Sequence, residues 1–95
     1  MSALMPTYKR LPLAFSRGAG AILWDQRGQR YLDGLSGIAV TNLGHCHPAI
    51  TETIATQSST LLHTSNLFRI PAQERLAAEL TSATGMDSSF FCNSG

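Results

Sequence analysis

Residues 88–95 read Ser88-Ser89-Phe90-Phe91-Cys92-Asn93-Ser94-Gly95, and this stretch decides the fold class. Ser88 to Cys92 is a short strand candidate, whose consecutive apolar residues fit a strand covered on both faces, as in a parallel sheet. The strand runs into Asn-Ser-Gly, small residues of the kind that join a strand to a helix. At such a junction backbone N–H groups and the positive end of the helix dipole favour an anion. Ser94 and Gly95 are therefore candidate phosphate ligands. Ser-Gly also occurs in plain turns, and the helix that would complete the site lies outside these 95 residues. The expected class is α/β.

Working back from that strand, Pro71 suits the first position of a helix. Its face carries Ala72, Leu76, Leu80 and Ala83, and Gly85 is its natural stop. Residues 63–70 read as a loop. A second helix is expected over 48–62, opened by Pro48, with Ile50, Ile54, Ser58 and Leu61 on one face. Residues 34–44 are rich in small side chains and read as a loop. Ala21–Asp25 and Arg30–Asp33 are β-prone and flank Gln26-Arg27-Gly28-Gln29, a turn, so together they predict a β-hairpin. Residues 1–20, punctuated by Pro6, Pro12, Gly18 and Gly20, read as an extended arm.

Composition narrows the function classes. With 14% charged residues and a net charge of +1, the few basic groups are too dispersed for a nucleic-acid surface. No apolar run approaches the roughly 18 residues needed to cross a bilayer. Lys9, Arg10 and Arg17 give the start a faint look of a transit peptide, but Pro6 and Pro12 break any amphipathic helix there. Cys46 and Cys92, without a secretory signal, read as free thiols of a cytoplasmic protein.

Several residues invite chemistry and have plainer explanations. Gly44-His45-Cys46-His47-Pro48 crowds metal-ligand types together, yet no second Cys or His pair completes a tetrahedral set. It reads as a turn starting a helix, and no metal is expected. Cys92 beside Phe90 and Phe91 sits in an apolar setting that keeps a thiol inert. Asp25 and Asp33 flank the hairpin, where aspartate favours turns and strand ends.

Taken in order, the segments Met5-Pro6-Thr7-Tyr8, Gly18-Ala19-Gly20, Leu23-Trp24-Asp25, Gly28, Tyr31-Leu32-Asp33, Ser36-Gly37-Ile38-Ala39-Val40, Gly44-His45-Cys46-His47-Pro48, His63-Thr64-Ser65-Asn66 and Phe90 to Gly95 resemble the class III aminotransferases. The resemblance covers nearly the whole chain. It implies a fold-type-I pyridoxal-phosphate transferase, of which this is the amino-terminal segment: arm, hairpin, two helices and first strand of the large domain. Residues 1–47 would then belong to the small domain, and 48–95 would lead into the large one. One departure is Ala19, where the family often carries an acid.

The resemblance further implies that Ser94 and Gly95 hold the pyridoxal 5'-phosphate phosphate. The Schiff-base lysine would lie beyond Gly95, since the only lysine here is Lys9, so the chain itself is expected to be inactive. Gly37-Ile38-Ala39-Val40, Thr64 to Phe68 and Phe90 to Gly95 favour members acting on N-acetylornithine and 2-oxoglutarate, giving N-acetylglutamate 5-semialdehyde and glutamate in arginine biosynthesis. Members acting on free ornithine tend to carry tyrosine where this chain has Ile38, which makes Ile38 a candidate substrate-binding residue. A cytoplasmic homodimer is implied, with no nucleic-acid or membrane partner. The alternatives are another ω-aminotransferase, acting on ornithine or 4-aminobutyrate, and a small non-enzymatic binding module.

Overall fold

The structure, a computed structural model, describes residues 3–94. The chain divides into two compact units, Met1–Thr60 and Leu61–Gly95.

The first unit is built on a three-stranded antiparallel sheet in the order β1 (Phe15–Ala19), β2 (Ile22–Asp25), β3 (Arg30–Leu32). The expected hairpin forms its β2–β3 half, pairing Leu23 with Tyr31 and Trp24 with Arg30. Asp25 locks the connecting turn. Its Oδ1 accepts the backbone N–H of Arg27 at 2.9 Å and of Gln29 at 2.8 Å, and at 8% exposure it is the buried polar residue of the described chain. Burying a carboxylate is tolerable only with such partners.

The arm contains a strand that its own composition conceals. Ser16-Arg17-Gly18 has low β-propensity, yet β1 pairs Arg17 with Trp24 and Gly18 with Leu23, with a bulge between Phe15 and Arg17. Cross-strand contacts supply what propensity does not. The Arg17 guanidinium lies 3.5 Å from the centre of the Trp24 ring, and Phe15 meets Tyr31 edge-on at 5.5 Å. Ser16 Oγ donates to the Asp25 carbonyl at 3.0 Å.

The expected loop after β3 holds a single turn, α1 (Ser36–Ala39), whose φ angles are all positive: 58° at Ser36, 61° at Gly37, 64° at Ile38 and 58° at Ala39. This is a left-handed turn. An L-residue there costs about 1–2 kcal/mol, and a β-branched residue such as Ile38 is a marked outlier.

The helix α2 (Pro48–Thr60) begins where Pro48 predicts. The carbonyl of His47 accepts from Thr51 N–H at 3.0 Å, and His47 Nδ1 accepts from Ala49 N–H at 3.2 Å, so the histidine caps the helix. In the second unit α3 (Pro71–Thr84) also starts at its proline. It ends on Gly85, whose φ of 73° and N–H bond to the Thr81 carbonyl close the last turn. Arg69 grips Glu74 in the first turn through two bonds of 2.8 Å.

Residues 88–92 form no strand. A strand exists only through hydrogen bonds to a neighbour, and no strand of the described residues pairs with this one. Its apolar run is strand-competent but unpaired. No hydrophobic residue of the described chain is buried. Ile50 and Ile54 on α2, and Leu76 and Leu80 on α3, present the expected faces without cover.

Candidate functional site

The two expected sites fall in different units. Ile38 is in the first, on the left-handed turn. Its side chain is 80% exposed, so the residue is presented rather than packed. Ser94 is in the second, on exposed coil, where its carbonyl accepts from Cys92 Sγ at 3.1 Å. Gly95 lies outside the described residues.

The turn that carries Ile38 is anchored by one carboxylate. Asp33 Oδ1 accepts the backbone N–H of Leu35 at 3.0 Å and of Ser36 at 2.8 Å. Its Oδ2 pairs with His45 Nε2 at 2.6 Å, in a setting where the two side chains are 8% and 22% exposed respectively. The Ser36 N–H, and then the His45 ring, hold the Asp33 carboxyl below the usual carboxylate range. The ionised carboxylate accepts, so Nε2 is the donor.

His45 is itself fixed to the sheet. Its N–H donates to the Gly20 carbonyl at 2.8 Å and its carbonyl accepts from Gly20 N–H at 3.0 Å. Two glycines make this approach possible. A Cβ on Gly18 would lie 2.7 Å from His45 Cγ. A Cβ on Gly44, at φ 82°, would lie 3.0 Å from the Gly20 backbone. Within the loop, Ser36 Oγ and Thr41 Oγ1 share a hydrogen bond of 2.8 Å.

Beside the turn is a hollow of about 210 Å³ lined by Asp33, Ser36, Thr41 and Asn42 among others. It is smaller than the roughly 300 Å³ of ordinary small-molecule sites.

The other sequence candidates take structural roles. His45 serves Asp33 and His47 caps α2. Among the described residues no three His, Cys, Asp or Glu side chains come together as a metal site. Cys46 and Cys92 are free and exposed; the apolar shelter expected for Cys92 is not formed here. Asp25 and Asp33 both anchor turns. Sequence reading missed the pairing of Asp33 with His45. Twelve residues separate them, and no periodicity marks such a contact. No described helix is long and apolar enough to cross a membrane.

The fold belongs to a recognisable class. The class-III aminotransferase family profile matches residues 4–95. The chain is a member of that family. It is 57% identical, over all 95 residues, to the acetylornithine aminotransferase of Nitrosomonas europaea, of which it covers 24%. Among solved structures it is similar to the N-acetylornithine aminotransferase of Stenotrophomonas maltophilia K279a, with a TM-score of 0.84, 38% identity, 92% of this chain covered and 24% of that one. It is similar also to the ornithine delta-aminotransferase of Plasmodium falciparum, with a TM-score of 0.84, 31% identity, 88% of this chain covered and 22% of that one. The chain thus spans about a quarter of the length of the relatives it matches. The likeness is to one continuous part of an α/β aminotransferase, and it does not favour a free-standing binding module.

Proposed function

We propose that this chain is part of an acetylornithine aminotransferase. The whole enzyme moves the amino group of N-acetylornithine to 2-oxoglutarate, giving N-acetylglutamate 5-semialdehyde and glutamate. It does so in arginine biosynthesis, as a cytoplasmic homodimer. The observation that carries the reading is the 57% identity over the full chain to a relative of that name. Among the solved structures an acetylornithine enzyme is 38% identical and an ornithine enzyme 31%. In this reading residues 1–47 belong to the small domain and 48–95 open the large one.

Pyridoxal 5'-phosphate fits the residues present at one end only. Ser94 is exposed, follows an apolar run and brings a hydroxyl, which is the donor chemistry a phosphate oxygen needs. Gly95 would allow the backbone to approach the same anion. When bound, the cofactor supplies the electron sink for amino transfer. Ser94 then holds its phosphate. Ile38 lies against the acylated end of the donor, where an isoleucine offers no hydrogen bond to a free amine and an N-acetyl group asks for none.

The test is the full-length protein carrying this sequence, assayed for glutamate formation with N-acetylornithine, ornithine and 4-aminobutyrate as donors. A preference for ornithine or 4-aminobutyrate would overturn the reading. For the phosphate contact, Ser94→Ala should weaken cofactor retention on dialysis, read by the cofactor's absorbance. Unchanged retention would remove Ser94 from the site.

A further inference from the structure

We propose that Asp33 and His45 form a latch that holds residues 36–39 left-handed and so fixes where Ile38 is presented. Its bearing on the choice of amino donor rests on the reading of Ile38 given above; the latch itself does not.

The turn's other restraints are all local to the loop. Three of its four residues, Ser36, Ile38 and Ala39, are L-residues at positive φ, a conformation that persists only where the surroundings over-determine it. The turn's own bonds are local: Ile38 N–H and Ala39 N–H donate to the Leu35 carbonyl at 3.0 and 3.1 Å, Val40 N–H and Thr41 N–H to the Ser36 carbonyl at 2.8 and 3.1 Å, and Ser36 Oγ meets Thr41 Oγ1 at 2.8 Å. They would close a turn without anchoring it. Ile38, being exposed, contributes no packing. The external restraint is the Asp33 carboxylate. One oxygen takes the two N–H groups that enter the turn, and the other takes His45 beyond its exit. Both ends of the latch sit on the sheet. Asp33 N–H donates to the Ala21 carbonyl at 2.8 Å, and His45 is bridged to Gly20. One carboxylate therefore ties the entry and the exit of a strained loop to the same β1–β2 corner.

His45 is accordingly a positioning residue. It acts on the substrate side only through Asp33 and the turn. An ordinary turn-capping aspartate would need Leu35 and Ser36 alone, so removing His45 separates the two accounts.

The experiment uses the full-length protein with His45→Asn and His45→Gln. The two side chains carry the same amide, but only glutamine reaches the place of Nε2. Crystal structures of both should show residues 36–39 leaving the left-handed region in the asparagine variant and keeping it in the glutamine variant. The ratio of kcat/KM for N-acetylornithine over ornithine should fall about tenfold in the asparagine variant. The fall should be carried by KM, and the glutamine variant should restore it. A left-handed turn intact in His45→Asn overturns the latch, as does a turn lost equally in both variants. A turn lost with an unchanged donor ratio supports the latch and overturns the role given to Ile38.

Discussion

Asp33 Oδ2 and His45 Nε2 stand 2.6 Å apart, and between them the chain runs through a left-handed turn to a β-bridge at Gly20. The pair closes a loop whose middle is strained and whose ends are tied to the sheet. That relationship accounts for how a segment with no buried hydrophobic side chain can hold a fixed shape.

The pair should be visible in titration. The Asp33 carboxyl is held below the usual range by Ser36 N–H first and by His45 second. A carboxyl with a lower pKa folded than unfolded contributes stability that is complete above the unfolded value near 3.9. That stability is lost as the pH falls through the folded value. Carbon-13 titration of Asp33 in the full-length protein should give a midpoint below that of an unstructured aspartate. It should move back toward it in His45→Ala. A midpoint at or above the ordinary value would contradict the geometry.

Gly44→Ala should destabilise the same corner. The new Cβ would meet the Gly20 backbone at 3.0 Å at a φ of 82°, so two penalties act together. The cost should be about 1–3 kcal/mol, read as a lower midpoint of urea unfolding in the full-length protein. An unchanged midpoint would mean that the Gly20–His45 bridge does not persist in solution.

Ile38→Tyr in the full-length enzyme should lower the preference for N-acetylornithine over ornithine. Tyrosine offers a hydroxyl to a free amine, and sites that hydrogen-bond a substrate group discriminate strongly by it. The ratio of kcat/KM values for the two donors is the readout. An unchanged ratio would make Ile38 a feature of the turn alone.

The 95-residue chain by itself should not transaminate. Its single lysine is Lys9, in the arm, and a covalent role needs an amine placed at the reacting carbon. Purified chain, pyridoxal phosphate, N-acetylornithine and 2-oxoglutarate are incubated together. Glutamate above a protein-free control would disprove the statement.

Nor should the isolated chain unfold cooperatively. No hydrophobic residue of the described chain is buried, so the hydrophobic term that offsets chain entropy is small. Near-UV circular dichroism of Trp24 during urea unfolding should drift without a native baseline. A sharp transition would show that the chain is a domain in its own right.

What the sequence determined by itself is what neighbours in the chain decide. Pro48 and Pro71 open helices where their missing N–H costs nothing, and Gly85 ends one where a positive φ is needed. Residues 26–29 turn the hairpin with the Asp25 side chain close at hand. The ordered motifs made the aminotransferase family legible, because their spacing along the chain is itself the signal. Tertiary structure decided the rest. Ser16-Arg17-Gly18 becomes a strand only because β2 offers hydrogen bonds and the Trp24 face. Phe90-Phe91-Cys92 has every local mark of a strand and, with no partner strand among the described residues, does not become one. Residues 36–39 turn left-handed against their own preference, and Asp33 meets His45 across twelve positions. Each of these depends on whether a partner group outside the segment is there to accept or donate a hydrogen bond. The free energy of such a bond belongs to the pair, so neither residue announces it alone.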